Sequence, residues 1–261
     1  MDFDGVDVFE AIVRSARQDL EEGLWSLYSA FQNYPFPQSL DASPLRDPEK
    51  ILSDLKSAPL RELSAEALGP YAASAMTTVG SADEFKHFLP RILHLSVISP
   101  CSYGFEPPAI ASKLALSDWK QWPVAEQTAV ANVVYAAWAF KRLQDPDFDP
   151  SAWDWILAMA RLDLQIESCL GLWVRQPTPN AFLQLARADL KGLYRGNGFW
   201  EDIAAEKRRF VLDWVTGTTV ENAVIELVEA IPTGEQWQID RLLDEIEELR
   251  RLPWRVEEPL G

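Results

Sequence analysis

Cysteine and histidine are scarce in this chain of 261 residues, which contains two of each. Cys101 and Cys169 are too few for a disulfide framework and lack the paired spacing of a zinc site, so we expect two buried free thiols. His87 and His94 lie seven residues apart, and the i, i+4 histidine pair of a zinc protease is missing. We therefore expect no metal and no cofactor.

Basic residues and long apolar runs are also few. The chain has 24 Lys and Arg against 40 Asp and Glu, a formal net charge of −16. This balance argues against a Lys- and Arg-rich face that neutralises nucleic-acid phosphates. The longest uncharged helical run, residues 127–140, falls short of the roughly 20 residues that a membrane span needs. No basic segment followed by an apolar core opens the sequence, so we expect no secretory signal and a cytoplasmic location.

Signals for β-strands are nearly absent, because Val, Ile and Thr rarely alternate with polar residues at period two. Apolar residues instead recur at helical spacing, in helices of roughly 10 to 18 residues joined by short turns. We predict an all-α fold of stacked antiparallel helix pairs, either a HEAT-like array or an irregular helical bundle, since no fixed repeat is visible. One domain is expected over residues 1–261, and the Pro- and Gly-containing stretch at about residues 97–108 is a candidate subdomain boundary.

Several helix starts are marked by a capping residue followed by proline, which suits the first helical position. The pairs are Asp47-Pro48, Asp149-Pro150 and Thr178-Pro179. The glycines of KGLYRGNGFW, residues 191–200, follow a predicted helix rather than a strand. We therefore interpret them as a helix end and turn, and not as a phosphate-binding loop.

The local signals agree best between Tyr71 and Leu95, where two packed helices joined by a tight turn are predicted. Gly80 is expected to end the first helix, and Ser81 with Glu84 forms a capping box for the second. Pro90 is expected to kink the second helix. A buried stripe follows the i, i+3, i+4 pattern and consists of Phe85, Phe88, Leu89, Ile92 and Leu95.

The same segment, YAASAMTTVGSADEFKHFLPRILHL, resembles a segment of bacterial proteins of unknown function, some of which look like immunity or accessory proteins of toxin systems. The resemblance covers about a tenth of the chain and carries no catalytic residue. It implies a protein that occludes a basic partner, such as a nucleic-acid-cleaving toxin.

The best candidate for partner binding follows the predicted helix that ends near Phe140. Residues 145–154 contain four Asp and no basic residue. Exposed carboxylates beside large aromatic side chains suit a partner with Arg or Lys on its contact face, whereas a merely solvated polar turn is the plainer alternative. The predicted partner-binding residues are Asp145, Asp147, Asp149, Trp153, Asp154 and Trp155.

The tryptophans divide by position. Those on apolar helical stripes are expected in the core, namely Trp25, Trp138, Trp214 and Trp237. Those near helix ends or loops are candidates for interfaces and comprise Trp119, Trp122, Trp153, Trp155 and Trp254.

Two other functions remain open. A hydrolase-like enzyme with a pocket between helix pairs would use Asp83 and His87, whose i, i+4 spacing puts both on one helix face. The plainer explanation of this pair is a capping Asp near a half-buried His. An acidic mimic of nucleic acid would require carboxylates spaced like phosphates.

Overall fold

The computed structural model describes residues 3–98 and 104–254, and within them the chain forms 13 α-helices and no β-strand. The prediction of an all-α fold is confirmed. The chain divides into two compact units, residues 1–140 and 141–261. The predicted boundary at about residues 97–108 includes residues 99–103, which lie outside the described residues, and it stays a prediction.

The described part of the first unit contains six helices. The last of them ends at Lys141, one residue after the end of the unit at Phe140. They are α1 (Phe3–Ala30), α2 (Pro48–Leu55), α3 (Ala65–Ser74), α4 (Ala82–Ile98), α5 (Pro107–Leu116) and α6 (Val124–Lys141). Helix α4 packs against α1, α3 and α5 and is buried along most of its length, and α2 packs on α3.

The described part of the second unit contains seven helices. They are α7 (Ala152–Arg161), α8 (Glu167–Arg175), α9 (Pro179–Ala186), α10 (Leu190–Arg195), α11 (Ala205–Val215), α12 (Thr218–Leu227) and α13 (Gln236–Arg251). Helix α9 packs against α7 and α13, while α10 packs against α11 and α13. Contacts between helices in both units are those of a helical bundle.

Two of the three predicted cap-plus-proline starts are confirmed. The Asp47 carboxylate accepts a hydrogen bond from the Lys50 N–H at 2.9 Å, and the Thr178 hydroxyl oxygen accepts one from the Ala181 N–H at 3.2 Å. Both contacts satisfy N–H groups that the first helical turn leaves without a backbone partner.

The third predicted helix start, Asp149-Pro150, is wrong, because α7 is capped by Ser151 and not by Asp149. The Ser151 hydroxyl accepts from the Asp154 N–H, and the Asp154 carboxylate accepts from the Ser151 N–H at 2.8 Å. This reciprocal capping box satisfies two backbone donors at once. Asp149 thereby stays in the preceding loop.

The corner before α4 is confirmed in part. Helix α3 ends at Ser74 and not at Gly80, since residues 75–81 form a turn in which Val79 pairs with Ala42 and Ala75. Gly80 does take a positive φ of 76°, and the Glu84 carboxylate accepts from the Ser81 N–H as predicted.

The stripe predicted on α4 is buried. Pro90 lies inside the helix, which continues to Ile98. The side chains with no more than 3% exposure include the whole predicted set, Phe85, Phe88, Leu89, Ile92 and Leu95.

A charged cluster is buried where α4 meets α6. The Lys86 ammonium lies 2.9 Å from the Glu126 carboxylate, and the two side chains are 8% and 9% exposed. The Tyr34 hydroxyl donates to the same carboxylate at 2.7 Å and accepts from Lys86 at 2.9 Å. The Trp122 ring faces the Lys86 ammonium at 4.4 Å from its centroid. We call these four residues the buried ion cluster.

The predicted division of the tryptophans is largely wrong. Trp25 is 67% exposed and Trp237 is 58% exposed, whereas Trp119 and Trp122 are buried. One residue along a helix rotates the side chain by about 100°, so Trp25 turns away from the core that its neighbour Leu24 enters. Trp138 is buried as predicted, while Trp214 and Trp254 are partly exposed.

Cys169 is a buried free thiol, and burial raises its pKa to about 11. Cys101 lies outside the described residues. Within residues 3–98 and 104–254, no helix is both long enough and apolar enough to cross a lipid bilayer.

Candidate functional site

The acidic loop, residues 145–150, connects α6 to α7 and projects its charged side chains into solvent. Asp145, Asp147 and Asp149 are exposed, and so is Phe148, at 57%. The exposed fraction of Phe148 is high for a large apolar side chain. Carboxylates and an aromatic ring therefore share one short segment of surface.

Gln184 on α9 holds both ends of this loop. Its side-chain oxygen accepts from the Ala152 N–H at 2.8 Å, and its side-chain nitrogen donates to the carbonyl oxygens of Lys141 and Gln144 at 2.9 and 3.0 Å. The Gln184 side chain is buried, so leaving these backbone groups unpaired would carry a desolvation cost. The spacing between the ends of the loop is thus set by α9.

Arg187, the residue after α9, holds the middle of the loop. Its guanidinium donates to the Asp147 carboxylate at 2.6 Å and to the Gln238 side-chain oxygen at 2.9 Å. The Asp145 carboxylate in turn accepts from the Asp147 N–H at 2.8 Å. The acidic loop is consequently held at three places, although most of its carboxylate surface faces solvent.

A cavity of about 280 Å³ opens beside the loop and is lined by three carboxylates and one guanidinium, those of Asp149, Asp154, Asp189 and Arg187. Burial raises the pKa of Asp154, and the Asp149 carboxylate raises it further. Asp189 also caps α10 by accepting from the Gly192 N–H at 2.8 Å. A cation that enters this cavity would relieve the repulsion between carboxylates.

The structure separates the six predicted partner-binding residues into two groups. Asp145, Asp147 and Asp149 lie together on the surface, and Asp154 is half-buried at the cavity. Trp153 and Trp155 are 3% and 0% exposed, so the expectation that they add aromatic surface is wrong.

Both indoles point into the core because α7 is apolar on almost every side, and Trp153 packs against Trp200 with ring centroids 5.9 Å apart. The exposed aromatic ring of the loop is Phe148. Whether the loop binds a partner stays a prediction.

Sequence reasoning missed Gln184 and Arg187, which hold the loop. One signal for Gln184 was present, since it stands inside the apolar run Ala181–Ala186, all of which is buried. A polar side chain inside a buried run needs hydrogen-bond partners. The identity of those partners depends on packing between segments that are distant in sequence.

Asp83 and His87 do not form a pair in the described part of the chain. His87 is half-buried, its Nδ1 lies 2.8 Å from the Tyr34 carbonyl oxygen, and its ring contacts Phe36 edge-on at 5.5 Å. Asp83 is exposed. This geometry does not favour the catalytic interpretation, which remains a prediction. Among residues 3–98 and 104–254, no group of three or more His, Cys, Asp or Glu side chains is arranged to hold a metal ion.

The glycine-rich segment after α10 is a helix end, as predicted. Gly196 is the C-cap of α10 and takes a left-handed φ of 67°. Its N–H donates to the Gly192 carbonyl oxygen at 2.9 Å. This is the usual role of glycine after a helix.

Models of known protein families, curated protein sequences and solved structures were compared with this chain, and none matches it.

Proposed function

We propose that this protein binds a basic protein partner through the acidic loop. The observation that carries the proposal is the contrast between the fixed backbone of the loop and its exposed side chains. Gln184 and Arg187 hold the loop in place, while three Asp and Phe148 face solvent. A surface that is already ordered loses less conformational entropy when a partner binds.

Each part of the loop has a distinct role in this proposal. The Asp carboxylates attract Lys and Arg of the partner. Salt screens this attraction, whose range is about 8 Å at physiological ionic strength. Phe148 supplies apolar contact area once the partner has docked. The cavity with Asp149, Asp154 and Asp189 accommodates one cationic side chain of the partner.

The narrower form of the proposal is an immunity or accessory factor that occludes a toxin. Its support is the resemblance of residues 71–95 to such proteins, together with the net charge of −16. Toxins that cleave nucleic acids carry basic faces for their substrates, and an acidic protein is complementary to such a face.

The test compares two variants that each remove two charges. Asp145→Asn with Asp147→Asn neutralises the loop and keeps its size, while Asp240→Asn with Asp244→Asn neutralises two exposed positions on α13. After capture of a partner with the wild-type protein, association rates are measured by biolayer interferometry over a range of salt concentrations. We expect the loop variant alone to associate more slowly and with a shallower dependence on salt.

Phe148→Ala separates the two phases of binding. It should raise the dissociation rate and leave the association rate nearly unchanged, because it removes contact area and no charge. The proposal fails if the loop variant binds the captured partner with wild-type rates at every salt concentration. A loss confined to the α13 variant would assign binding to that acidic helix.

A further inference from the structure

Two arginines and a histidine come together in the 1–140 unit, where α1 and α4 meet the turn between α2 and α3. Arg61 lies in this turn, Arg91 and His94 lie on α4, and Tyr28 lies near the end of α1. We call these four residues the arginine cluster. A concentration of positive charge is unexpected in a chain with a net charge of −16.

Arg91 is the buried cation of the cluster, at 9% exposure. Its Nε donates to the Leu63 carbonyl oxygen at 2.8 Å, and its Nη1 lies 3.4 Å from His94 Nδ1. Neither contact supplies a negative charge, and Arg91 forms no ion pair with any described residue. Buried charges are ordinarily paired, because an unpaired one loses hydration without compensation. The burial of Arg91 therefore favours an anion beside it.

Arg61 is the accessible cation of the cluster. Its guanidinium lies 3.8 Å from the centroid of the Tyr28 ring, well inside the range of about 6 Å for a cation–π contact. This contact uses the face of the guanidinium and leaves the N–H groups along its edge available. Arg61 is exposed, and within residues 3–98 and 104–254 its side chain makes no ion pair or hydrogen bond. The cluster is thus open to solvent at Arg61.

Tyr28 brings the two guanidiniums to one place, since Arg61 stacks on its ring and Arg91 adjoins its hydroxyl. The same hydroxyl lies 3.3 Å from His94 Nδ1. An arginine can only donate, so this Nδ1 accepts and the neutral ring carries its proton on Nε2. Burial lowers the pKa of His94, and Arg91 and Arg61 lower it further. No carboxylate takes part in this shift, so the field at the cluster is positive.

We propose that the arginine cluster binds a phosphate group, with Arg61 and Arg91 as the residues that hold its oxygens. Tyr28 and His94 position the two guanidiniums through the contacts described above. One guanidinium already matches both oxygens of a carboxylate, whereas a phosphate has further oxygens for a second guanidinium. The site is separate from the acidic loop and does not depend on partner binding.

Titration calorimetry of the full chain at constant ionic strength tests the proposal. The probes are inorganic phosphate, glycerol 3-phosphate and acetate, and we expect one equivalent of at least one phosphate probe to bind. Arg61→Gln should weaken this binding by about tenfold or more, since it removes a charge-assisted contact. Arg14→Gln is the matched control, because Arg14 is an exposed residue about 21 Å from Tyr28 along α1.

Nuclear magnetic resonance of the two histidines gives a second measurement that a purely structural role of the arginines would not change. A bound phosphate should raise the pKa of His94, because an adjacent anion favours the charged imidazole. His87 lies seven residues earlier on α4 and contacts the Tyr34 carbonyl oxygen, so it is an internal control. We expect a smaller shift for His87 than for His94.

Saturable binding of a phosphate probe that weakens with Arg61→Gln and stays within twofold of wild type with Arg14→Gln supports the site. The tighter of the two phosphate probes then shows whether free phosphate or a phosphate monoester is preferred. Absence of saturable binding at millimolar concentration, or an equal loss in both variants, overturns the proposal. Acetate that binds as tightly as phosphate, or equal pKa shifts of both histidines, also overturns it. Circular dichroism verifies that both variants keep the helical fold.

Discussion

The buried ion cluster and the acidic loop show two ways in which this chain places charge. In the cluster, Lys86, Glu126 and the half-buried Tyr34 satisfy one another, and the two charged side chains are 8% and 9% exposed. In the loop, Gln184 holds the backbone at both ends and Arg187 pairs with the Asp147 carboxylate, while the Asp side chains remain exposed. Charge that is paired internally contributes to the fold, whereas charge on a fixed and exposed segment is available to a partner.

This difference gives opposite expectations for mutation. Removal of Lys86 or Glu126 leaves the other charge of the cluster buried and uncompensated, which is costly. Neutralisation of an exposed Asp removes a weak, screened interaction. Stability measurements therefore distinguish the two regions before any partner is known.

One of the two largest effects is expected for Glu126→Gln, which leaves the Lys86 ammonium without a carboxylate. We expect a loss of about 3 to 5 kcal/mol in the free energy of unfolding, measured by urea denaturation. Lys86→Met combined with Glu126→Leu should restore most of this stability, since no buried charge remains. A neutral Glu126→Gln would mean that water reaches the cluster.

Trp155→Ala and Phe148→Ala compare a buried aromatic side chain of α7 with the exposed aromatic side chain of the acidic loop. Trp155 is fully buried, so truncation should cost about 3 to 5 kcal/mol through lost contacts and a cavity. Phe148 is mostly exposed, and its truncation should change stability by less than about 0.5 kcal/mol. Thermal denaturation of both variants measures the contrast, and similar losses would place Phe148 in the core.

An intermediate effect is expected for Gln184→Ala. It leaves one N–H and two carbonyl groups of the loop ends without their partner, at a cost of about 1 to 3 kcal/mol. Asn222→Ala is a control, because Asn222 is an exposed amide of α12 in the same unit. Hydrogen exchange of the Ala152 N–H should accelerate in Gln184→Ala alone. Unchanged protection of that amide would contradict the role of Gln184.

The smallest effect is the pH dependence that Asp154 contributes. Because burial and the Asp149 carboxylate raise the pKa of Asp154 above its unfolded value, its ionisation opposes folding. The stability that Asp154 contributes is present below its unfolded pKa and is lost as pH rises through its folded pKa. Asp154→Asn keeps a side-chain oxygen for the Ser151 N–H and removes this loss.

Urea denaturation at several pH values from acid to neutral measures this effect. The stability of Asp154→Asn relative to wild type should rise with pH over the range in which Asp154 ionises. A difference that falls with pH over that range would show that the folded pKa is lowered and not raised.

Local signals in the sequence predicted what depends on neighbouring residues. The caps at Asp47 and Thr178, the positive φ of Gly80 and the buried stripe of α4 follow from spacing within one helix turn or from apolar periodicity. The sequence predicted Asp149 as the cap of α7, whereas Ser151 is the cap. Both residues can cap a helix and lie within three residues of each other, so their signals overlap.

The candidate site depended on contacts that spacing does not encode. Trp153 and Trp155 stand next to four Asp in sequence, yet α7 turns them into the core and leaves Phe148 outside. Nothing near the loop indicated that Gln184, which is distant in sequence, would hold its two ends. The charge of the loop could be predicted, but its rigidity could not.

Gln184 has a consequence for how this surface can diversify. Its three hydrogen bonds go to backbone atoms of Lys141, Gln144 and Ala152, and none goes to a side chain of the acidic loop. The side chains of residues 145–149 can therefore be exchanged without loss of these three hydrogen bonds, so α9 holds the ends of the loop whatever side chains the loop carries. Libraries randomised at these five positions should retain the fold, although the contact of Asp147 with Arg187 is lost, and they would test the proposed role of the loop in partner binding.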